Sequence, residues 1–322
     1  MLAVSVVSQS DRDPLSGLHV GERPEPAVRG DWIKVRIKAA TLNHHDLWSL
    51  RGVGLPADRL PMILGSDGAG VDEFGNEVIV HSVIADAERY VDDETLDPAR
   101  SLLSEVYDGT LAEAVTVPAR NVVPKPAELS FEEAACLPTA WLTAYRMLFT
   151  KAELATGQSV LIQGAGGGVA TAALLLAKAA GLTVYVTSRD GHKRDRAHAL
   201  GADGVFAVGD RLPGRVDAVI ETVGAATWSH SLKSLRPGGR LVVCGATSGA
   251  DPSADLNRVF FLQLSVLGST MGTRAELAGL ADFCIRTGVR PLLDSTRPLA
   301  EARSAFEEMA AGTAFGKLVL TI

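Results

Sequence analysis

A glycine-rich turn between an apolar strand and a helix constrains the fold of this chain more than any other feature of its sequence. The apolar residues 159–162 precede the turn, and the small and apolar residues 172–181 follow it. Glycines allow a tight turn and a close approach of a ligand to the backbone, and the helix N-terminus supplies N–H donors and a partial positive charge. The sequence therefore predicts a strand–turn–helix unit that binds the pyrophosphate of a dinucleotide. The predicted contacts are Gly164, Gly166, Gly167, Gly168 and Val169, the last of which stands where the pattern has its third glycine.

Two different patterns of secondary structure follow one another along the chain. In residues 32–39, apolar Ile33, Val35 and Ile37 alternate with charged residues, which is typical of a half-buried antiparallel strand. Similar short strands recur up to about residue 122, and Ser130 with Glu133 then predicts a capped helix start. From about residue 158 strands alternate with helices, which indicates a doubly wound parallel sheet. The predicted elements there are strands at 159–162, 183–187, 216–221, 240–245 and 264–269, and helices near 275–287 and 299–311.

Composition excludes several classes of protein. A chain of 322 residues that is 47% hydrophobic can bury a large core and is long enough for two domains. Its net charge of -7, with scattered basic residues, disfavours binding of nucleic acid or of an anionic membrane. Three distant cysteines predict neither a disulfide framework nor a thiolate zinc site, and they fit a reducing compartment. No apolar run reaches the roughly 20 residues of a membrane span, and the N-terminus lacks the basic region of a signal peptide. We therefore expect a cytoplasmic protein that acts on a small molecule.

Six segments, taken together and in this order, resemble the medium-chain dehydrogenase/reductase superfamily. They are residues 40–46, 63–70, 137–145, the glycine turn, 235–240 and 316–319. The resemblance covers nearly the whole chain and implies an α/β fold with a β-rich, GroES-like domain, a Rossmann domain and a C-terminal segment that returns to the first domain. The implied domains are 1–124 with 272–322, and 125–271 with connecting helices over 125–157. The apolar strand 264–269 is similar to the superfamily's dimer-forming edge, which implies a homodimer.

The resemblance is strongest to the zinc-independent, quinone oxidoreductase-like branch of this superfamily. In its zinc alcohol dehydrogenases a cysteine, a histidine and a further cysteine or acid bind the catalytic metal, and the matching positions here are Asn43, Ser66 and Thr139. Amide and hydroxyl groups are poor zinc ligands compared with thiolate, imidazole and carboxylate. The stretch that corresponds to the structural-zinc lobe, about 82–110, contains no cysteine. The prediction is therefore that the protein binds no metal.

The alternative to this prediction is a metal site formed by other residues than those of the superfamily's zinc enzymes. His44, His45, Asp46 and Asp67 lie near the same expected site. On an extended chain, however, adjacent histidines point in different directions, so His44 and His45 do not easily face one ion.

The cofactor choice depends on the end of the second strand of the nucleotide domain, where an acid hydrogen-bonds the ribose of NAD. The resemblance places Ser188 there, followed by Arg189, with Lys193 close behind. A small hydroxyl with basic side chains suits a 2′-phosphate, so these three residues predict NADP(H). Asp190 favours NAD instead, because a small shift of this alignment makes it the acid that binds the ribose. A second alternative is that Arg189 and Lys193 are solvated surface charges. The resemblance implies further cofactor contacts at Thr222, Val223, Gly245, Ala246, Thr247, Leu267, Gly268 and Ser269. The alternative is that these residues only form turns.

The lack of zinc ligands bears on the reaction. Zinc stabilises an alkoxide as a Lewis acid, whereas hydride addition to a quinone or an α,β-unsaturated carbonyl spreads the charge so that hydrogen-bond donors suffice. The predicted function is therefore NADPH-dependent reduction of a quinone or enone. A zinc-free alcohol dehydrogenase-like enzyme, an enoyl-thioester reductase and a non-catalytic NADP(H)-binding sensor or association protein are the alternatives.

Three residues after the strand 32–39 are the catalytic candidates. Asn43 is predicted to hold a carbonyl oxygen, or else to fix its loop, and His45 is predicted to donate a proton, or else to be a packed histidine. Asp46 orients a neighbour or caps a helix that begins at Leu47. The predicted substrate-binding residues are Trp48, Ser66 and Thr139.

Overall fold

The structure is a computed structural model that describes residues 1–86 and 88–322. The chain divides into two compact units, Met1–Ala140 with Met271–Ile322, and Trp141–Thr270. The α/β fold, with a GroES-like first unit and a Rossmann second unit, is as predicted. No helix among the described residues is long and apolar enough to cross a membrane.

The first unit starts with antiparallel strands and two short helices. Strand β3 lies at the centre of its largest sheet, where it pairs antiparallel with β5, β9 and β18. As predicted, Ile33, Val35 and Ile37 on β3 are buried, while Arg36 is exposed. The N-terminal elements are β1 (Leu2–Val6), β2 (Leu18–Glu22), β3 (Trp32–Thr41), α1 (His44–Leu50), β4 (Met62–Ile63), β5 (Asp67–Asp72), β6 (Glu77–Val80), β7 (Val83–Ile84), β8 (Ser101–Leu102), β9 (Ala114–Pro118), β10 (Val122–Pro124) and α2 (Phe131–Ala135).

Helix α2 sets the boundary of the first unit. Its predicted capping box is present, because the Glu133 N–H donates to Ser130 Oγ at 3.1 Å and the Ser130 N–H donates to Glu133 Oε2 at 3.0 Å. The helix packs against β3 and β5. The first unit therefore extends to Ala140, beyond the predicted boundary at residue 124.

The second unit is built on a parallel sheet, as the alternation of strands and helices predicts. Its strand order is β13-β12-β11-β14-β15-β16, and every neighbouring pair is parallel. Strand β15 begins earlier than predicted, because Leu235 pairs with Val216 and Arg240 pairs with Ala218, which leaves residues 236–239 as a bulge within the strand. Its elements are α3 (Leu142–Tyr145), β11 (Ser159–Gln163), α4 (Gly168–Ala179), β12 (Thr183–Thr187), α5 (Gly191–Ala199), β13 (Gly204–Phe206), β14 (Val216–Glu221), α6 (Ala225–Ser234), β15 (Leu235–Val243), α7 (Leu256–Phe261) and β16 (Ser265–Gly268).

The C-terminal segment returns to the first unit. Strand β18 pairs antiparallel with β3, with Val319 opposite Thr41, and so completes the central part of that sheet. The predicted helix over 299–311 begins at Ala302, because Leu299–Glu301 forms a separate 3-10 turn. The elements are α8 (Arg274–Thr287), β17 (Leu293–Pro298), α9 (Ala302–Ala311) and β18 (Lys317–Thr321).

The strand predicted to pair two copies of the chain lies at one edge of the parallel sheet. Strand β16 pairs with β15 on one side, and Ser265, Val266 and Gly268 on it are exposed. The preceding helix α7 also exposes Phe260 and Phe261. The homodimer stays a prediction.

Candidate active site

The three catalytic candidates lie where β3 passes into α1. Asn43 is the N-cap of α1, so the helix begins at His44 and not at Leu47 as predicted. Asp46 is thus the third residue of the helix, where its Oδ2 accepts the N–H of Asn43 at 2.8 Å and its Oδ1 accepts the N–H of Gly65 at 3.0 Å. Burial raises the pKa of Asp46. Asp46 therefore holds two backbone segments of the site together.

A buried ion pair lies directly beside Asn43. Lys317 Nζ is 2.9 Å from Asp67 Oδ2, and the two side chains are 3% and 0% exposed. The ammonium also donates to Asn43 Oδ1 at 2.9 Å and to the Leu42 carbonyl at 2.8 Å. Its three N–H groups are therefore matched by three acceptors. Asp67 Oδ2 in turn accepts from Thr41 Oγ1 at 2.6 Å and from Asn43 Nδ2 at 2.8 Å.

This network holds the Asn43 side chain from both ends. Its oxygen accepts from Lys317, and one of its two amide N–H bonds donates to Asp67. Among the described residues, the second N–H has no acceptor and can donate to another oxygen. The Lys317 ammonium polarises the amide through its oxygen, which makes that N–H a stronger donor. Asn43 is 8% exposed. The arrangement is therefore suited to holding a carbonyl oxygen, and the role of Asn43 in binding a substrate stays a prediction.

Sequence reasoning did not assign roles to Lys317 and Asp67 in this network. The available signal was Lys317 itself, which is the one charged residue in an apolar run at 317–320. A lysine in a buried strand needs a carboxylate or several acceptors to offset its desolvation. The alternative metal site includes Asp67, but Asp67 Oδ2 binds the Lys317 ammonium.

The two other residues at the metal-binding positions of the superfamily contact each other. Ser66 Oγ is 3.1 Å from Thr139 Oγ1, so the two hydroxyls form a hydrogen bond. His44 and His45 lie on the first turn of α1 and not on an extended chain as predicted. Across residues 1–86 and 88–322, no group of three or more His, Cys, Asp or Glu side chains is arranged to hold a metal. The donor groups present at these positions, one amide and two hydroxyls, do not fit zinc.

His45 forms an ion pair that the sequence did not reveal. Its Nε2 is 2.9 Å from Glu105 Oε1, and the side chains are 18% and 24% exposed. Its Nδ1 is buried without a hydrogen-bond partner among the described residues. Burial disfavours the imidazolium, but the hydrogen bond to Glu105 and the charge of Asp46 outweigh it and raise the pKa of His45. Burial likewise acts against the Glu105 carboxylate, but His45 and the Leu102 N–H lower the pKa of Glu105.

These two shifts predict a pH-dependent contribution to stability. Because the pKa of His45 is raised, His45 contributes stability that is fully present below pH 6.5 and is lost as the pH rises through its folded pKa. Because the pKa of Glu105 is lowered, Glu105 contributes stability that is present above pH 4.5 and is lost as the pH falls through its folded pKa. We expect Glu105→Gln to lower the free energy of unfolding by about 1 kcal/mol at about pH 5.5, and by less at about pH 8. Urea unfolding across this range measures it, with Glu307→Gln at an exposed position as control. A pH-independent difference contradicts the ion pair.

Trp48, the remaining predicted substrate contact, is half-buried on α1. Trp141, an aromatic residue within segment 137–145, is fully buried. It therefore belongs to the core.

The second unit carries the glycine turn. Gly164 and Gly166 have φ of +87° and +91°, which glycine adopts at no steric cost. Gly167 is the N-cap of α4, and the helix begins at Gly168 with Val169 in its first turn. The first N–H groups of a helix have no partner within the helix. The strand–turn–helix unit is therefore present as predicted, and it exposes backbone donors at a helix N-terminus. Its contact with a pyrophosphate stays a prediction.

The residues predicted to choose between NAD and NADP follow β12. Ser188 is buried and its Oγ accepts the Asp190 N–H at 3.2 Å, while Arg189 is exposed. Asp190 is the N-cap of α5, where its carboxylate accepts the Lys193 N–H at 3.3 Å. The alternative ribose acid is therefore engaged in capping a helix.

A buried carboxylate shapes the turn after β14. Glu221 is 0% exposed and accepts the N–H groups of Val223 and Gly224 at 2.8 and 3.0 Å. It also accepts from Thr227 Oγ1 at 2.8 Å and Ser231 Oγ at 2.6 Å. These donors satisfy the buried charge and fix the turn that contains the predicted cofactor contacts Thr222 and Val223. The role of Glu221 was not predicted from the sequence.

The other predicted cofactor contacts share one edge of the sheet. Each lies at, or directly after, the C-terminal end of a parallel strand, which is where ligands bind in open α/β sheets. Gly245, Ala246 and Thr247 follow β15, while Leu267, Gly268 and Ser269 end or follow β16.

The glycine turn at the edge of a parallel sheet, together with the antiparallel unit that carries Asn43, defines a nicotinamide-dependent oxidoreductase. Two family models match the chain. One is the alcohol dehydrogenase GroES-like domain, over residues 29–127, and the other is the zinc-binding dehydrogenase domain, over residues 168–286. The chain belongs to the medium-chain dehydrogenase/reductase superfamily.

Similar proteins of this superfamily differ in substrate. Acryloyl-coenzyme A reductase from Metallosphaera sedula is 30% identical, over 95% of this chain and 96% of that protein. Quinone oxidoreductase from Mus musculus is 29% identical, over 92% and 91% of the two chains. A solved NAD-dependent alcohol dehydrogenase superposes with a TM-score of 0.91 at 33% identity, covering 100% of both chains. The 2-octenoyl-CoA carboxylase reductase CinF, solved with NADP and 2-octenoyl-CoA, gives a TM-score of 0.91 at 26% identity, covering 99% of this chain and 87% of that one.

Proposed function

We propose that this protein reduces a quinone or an α,β-unsaturated carbonyl with NADPH and without a catalytic metal. The observation that carries the proposal is the Asn43 amide, held by Lys317 and Asp67 at a position where the superfamily's zinc enzymes have a metal ligand. The other two such positions hold the hydrogen-bonded hydroxyls of Ser66 and Thr139. This side-chain set offers hydrogen-bond donors in place of a Lewis acid.

The donor set matches the charge that forms in such a reduction. A nicotinamide cofactor held at the glycine turn would supply a hydride, so negative charge would develop on the carbonyl oxygen of the acceptor. In a quinone or enone this charge is delocalised as phenolate or enolate, so one strong N–H and neighbouring hydroxyls can stabilise it. Lys317 strengthens the Asn43 N–H, and its ammonium pairs with Asp67. His45 remains the candidate proton donor.

The preference for NADPH rests on the residues after β12. Ser188 presents no carboxylate to repel a 2′-phosphate, and Arg189 is an exposed cation next to it. Asp190 caps α5 through its side chain. The NADP bound by the solved 2-octenoyl-CoA carboxylase reductase supports this choice, whereas the solved alcohol dehydrogenase is NAD-dependent.

An enoyl thioester is the second candidate acceptor. Two of the similar proteins are an acryloyl-coenzyme A reductase and a reductase solved with 2-octenoyl-CoA. The thioester carbonyl activates its double bond as the carbonyl of an enone does, so the Asn43 N–H has the same task in both reactions.

Initial rates of NADPH and NADH oxidation with quinones, enones, enoyl thioesters and simple ketones test the proposal. We expect turnover with quinones or enones, higher kcat/KM with NADPH than with NADH, and little turnover with simple ketones. Asn43→Ala is expected to lower kcat/KM about tenfold or more, since hydrogen bonds to charged groups contribute about 1.5–3 kcal/mol. The exposed Asn257→Ala is the control.

Each contrary result points to a different alternative. Stoichiometric zinc in protein purified without added metal contradicts the metal-free site. Preference for enoyl thioesters selects the second candidate acceptor, and efficient oxidation of simple alcohols selects the alcohol dehydrogenase-like alternative. Tight NADPH binding without oxidation by any acceptor supports the non-catalytic alternative, an NADP(H)-binding sensor or association protein.

A further inference from the structure

A cleft in the second unit is lined by basic side chains. It has a volume of about 420 Å³ and lies between α6 and the connection from β13 to β14, residues 207–215. This size is within the range of small-molecule sites, which is about 300–1,000 Å³. Its charged lining residues are Arg211, Arg215, Lys233 and Asp210, and His230 lies beside them. None of these residues is among the predicted cofactor contacts.

The charge of this cleft is positive, although the chain carries a net charge of -7. Two arginines and a lysine face a single carboxylate, Asp210, whose Oδ2 accepts the N–H of Ala207 at 2.9 Å in its own loop. Arg211 and Lys233 form no ion pair with any described residue. Like charges gathered around one concave surface favour an anion there.

Phosphate is the anion that this set of side chains recognises best. Arginine binds phosphate through two parallel N–H bonds, and lysine adds a compact charge. We propose that the cleft is a second anion site, separate from the cofactor site, which binds the phosphate or pyrophosphate group of a small molecule and weakens NADPH binding when it is occupied.

His230 connects the cleft to the glycine turn. Its Nε2 is 2.8 Å from the Asp210 carbonyl, to which it must donate, so its Nδ1 accepts from Gln163 Nε2 at 2.9 Å. Gln163 is the last residue of β11, directly before Gly164. Its Oε1 accepts from Thr187 Oγ1 at 2.5 Å, and Thr187 Oγ1 accepts the Gly164 N–H at 3.5 Å.

The same glutamine also supports the turn after β14. Gln163 Nε2 donates to Ser231 Oγ at 3.0 Å, and Ser231 donates to Glu221. An anion in the cleft attracts the Nε2–H of His230 away from the Asp210 carbonyl. Rotation of the imidazole toward the anion breaks its bond to Gln163, and with it the support of both cofactor-binding turns.

Calorimetric titration of inorganic pyrophosphate into NADPH-saturated protein tests the separate site. Bound NADPH then occupies the phosphate-binding groups of the cofactor site, so pyrophosphate must bind elsewhere. We expect saturable binding, weakened at least tenfold in the double variant Arg211→Ala/Lys233→Ala and unchanged in Arg189→Ala. Both cleft side chains are exposed, so their removal spares the fold. Absence of saturable binding, or equal binding by the double variant, overturns the separate site. Because linkage is reciprocal, NADPH is expected to weaken pyrophosphate binding by the same factor without abolishing it.

Fluorescence titration of NADPH at saturating pyrophosphate tests the linkage. We expect the Kd of NADPH to rise at least threefold in the wild-type protein and in Arg189→Ala, and to stay constant in the double variant. A rise of the same size in the double variant means competition at the cofactor site, and it overturns the linkage, as does an unchanged Kd in the wild type. Neither measurement requires a hydride acceptor. Both results therefore stay interpretable even if the proposed reduction of quinones or enones is wrong.

Discussion

Replacing Lys317 with methionine is expected to lower the free energy of unfolding by about 3–5 kcal/mol, because it leaves the Asp67 carboxylate buried without its cation. The two side chains are 3% and 0% exposed, so water cannot replace the lost ammonium. The same substitution removes the donor to Asn43 Oδ1 and the donor to the Leu42 carbonyl. Urea unfolding near pH 7 measures the loss.

Two control variants separate the buried charge from the loss of a side chain. Lys178 pairs with Asp203 at 2.7 Å, but their side chains are 32% and 39% exposed, so Lys178→Met is expected to cost less than about 1 kcal/mol. Adding Asp67→Asn to Lys317→Met neutralises the stranded carboxylate and is expected to recover much of the stability. If Lys317→Met costs no more than Lys178→Met, the buried ion pair is not a major source of stability.

Gly166→Val is expected to raise the Kd of NADPH about 100-fold or more, which corresponds to about 2.7 kcal/mol. Gly166 has φ of +91°, a conformation that a β-branched residue adopts only under strain. Relief of that strain moves the turn away from the pyrophosphate and puts a side chain where the ligand approaches the backbone. Quenching or enhancement of NADPH fluorescence measures the affinity.

Gly157→Val is the matched control for this prediction. Gly157 has φ of +89°, in a turn before β11, and a Cβ there meets no atom within 4 Å. Both substitutions introduce the same backbone strain, so both are expected to destabilise the fold, but Gly157→Val should keep its NADPH affinity. A similar rise of Kd in the two variants means that general destabilisation, and not the turn, is responsible.

Much of the fold was predictable because local patterns determine it. Alternation of apolar and charged residues identified β3, and the alternation of strands with helices identified the parallel sheet. Boundaries were less accurate where a tertiary contact decided them. Packing of α2 on β3 and β5 extends the first unit to Ala140. The start of α1 was wrong for a local reason, because Asn43 and Asp46 form a capping box that starts the helix three residues before the predicted Leu47.

The candidate site was predicted in part. The sequence pointed to Asn43, Ser66 and Thr139, and the structure shows Ser66 in contact with Thr139. It did not reveal that Lys317 holds Asn43, or that Glu105 pairs with His45. Each of these partners is distant in sequence, by 274 and 60 positions, and no local pattern relates them.

The sequence by itself determined the glycine turn and the parallel sheet behind it, because these depend on residue types and short-range periodicity. Its resemblance to the superfamily implied which positions lack good zinc ligands. The tertiary structure decided which charges meet. Thr41 lies opposite Asp67 on one side of β3 and opposite Val319 on the other. This strand pairing brings together Asp67 and Lys317, which are 250 positions apart. The periodicity of a strand shows which side chains are buried, but the register of its neighbours decides which of them form hydrogen bonds.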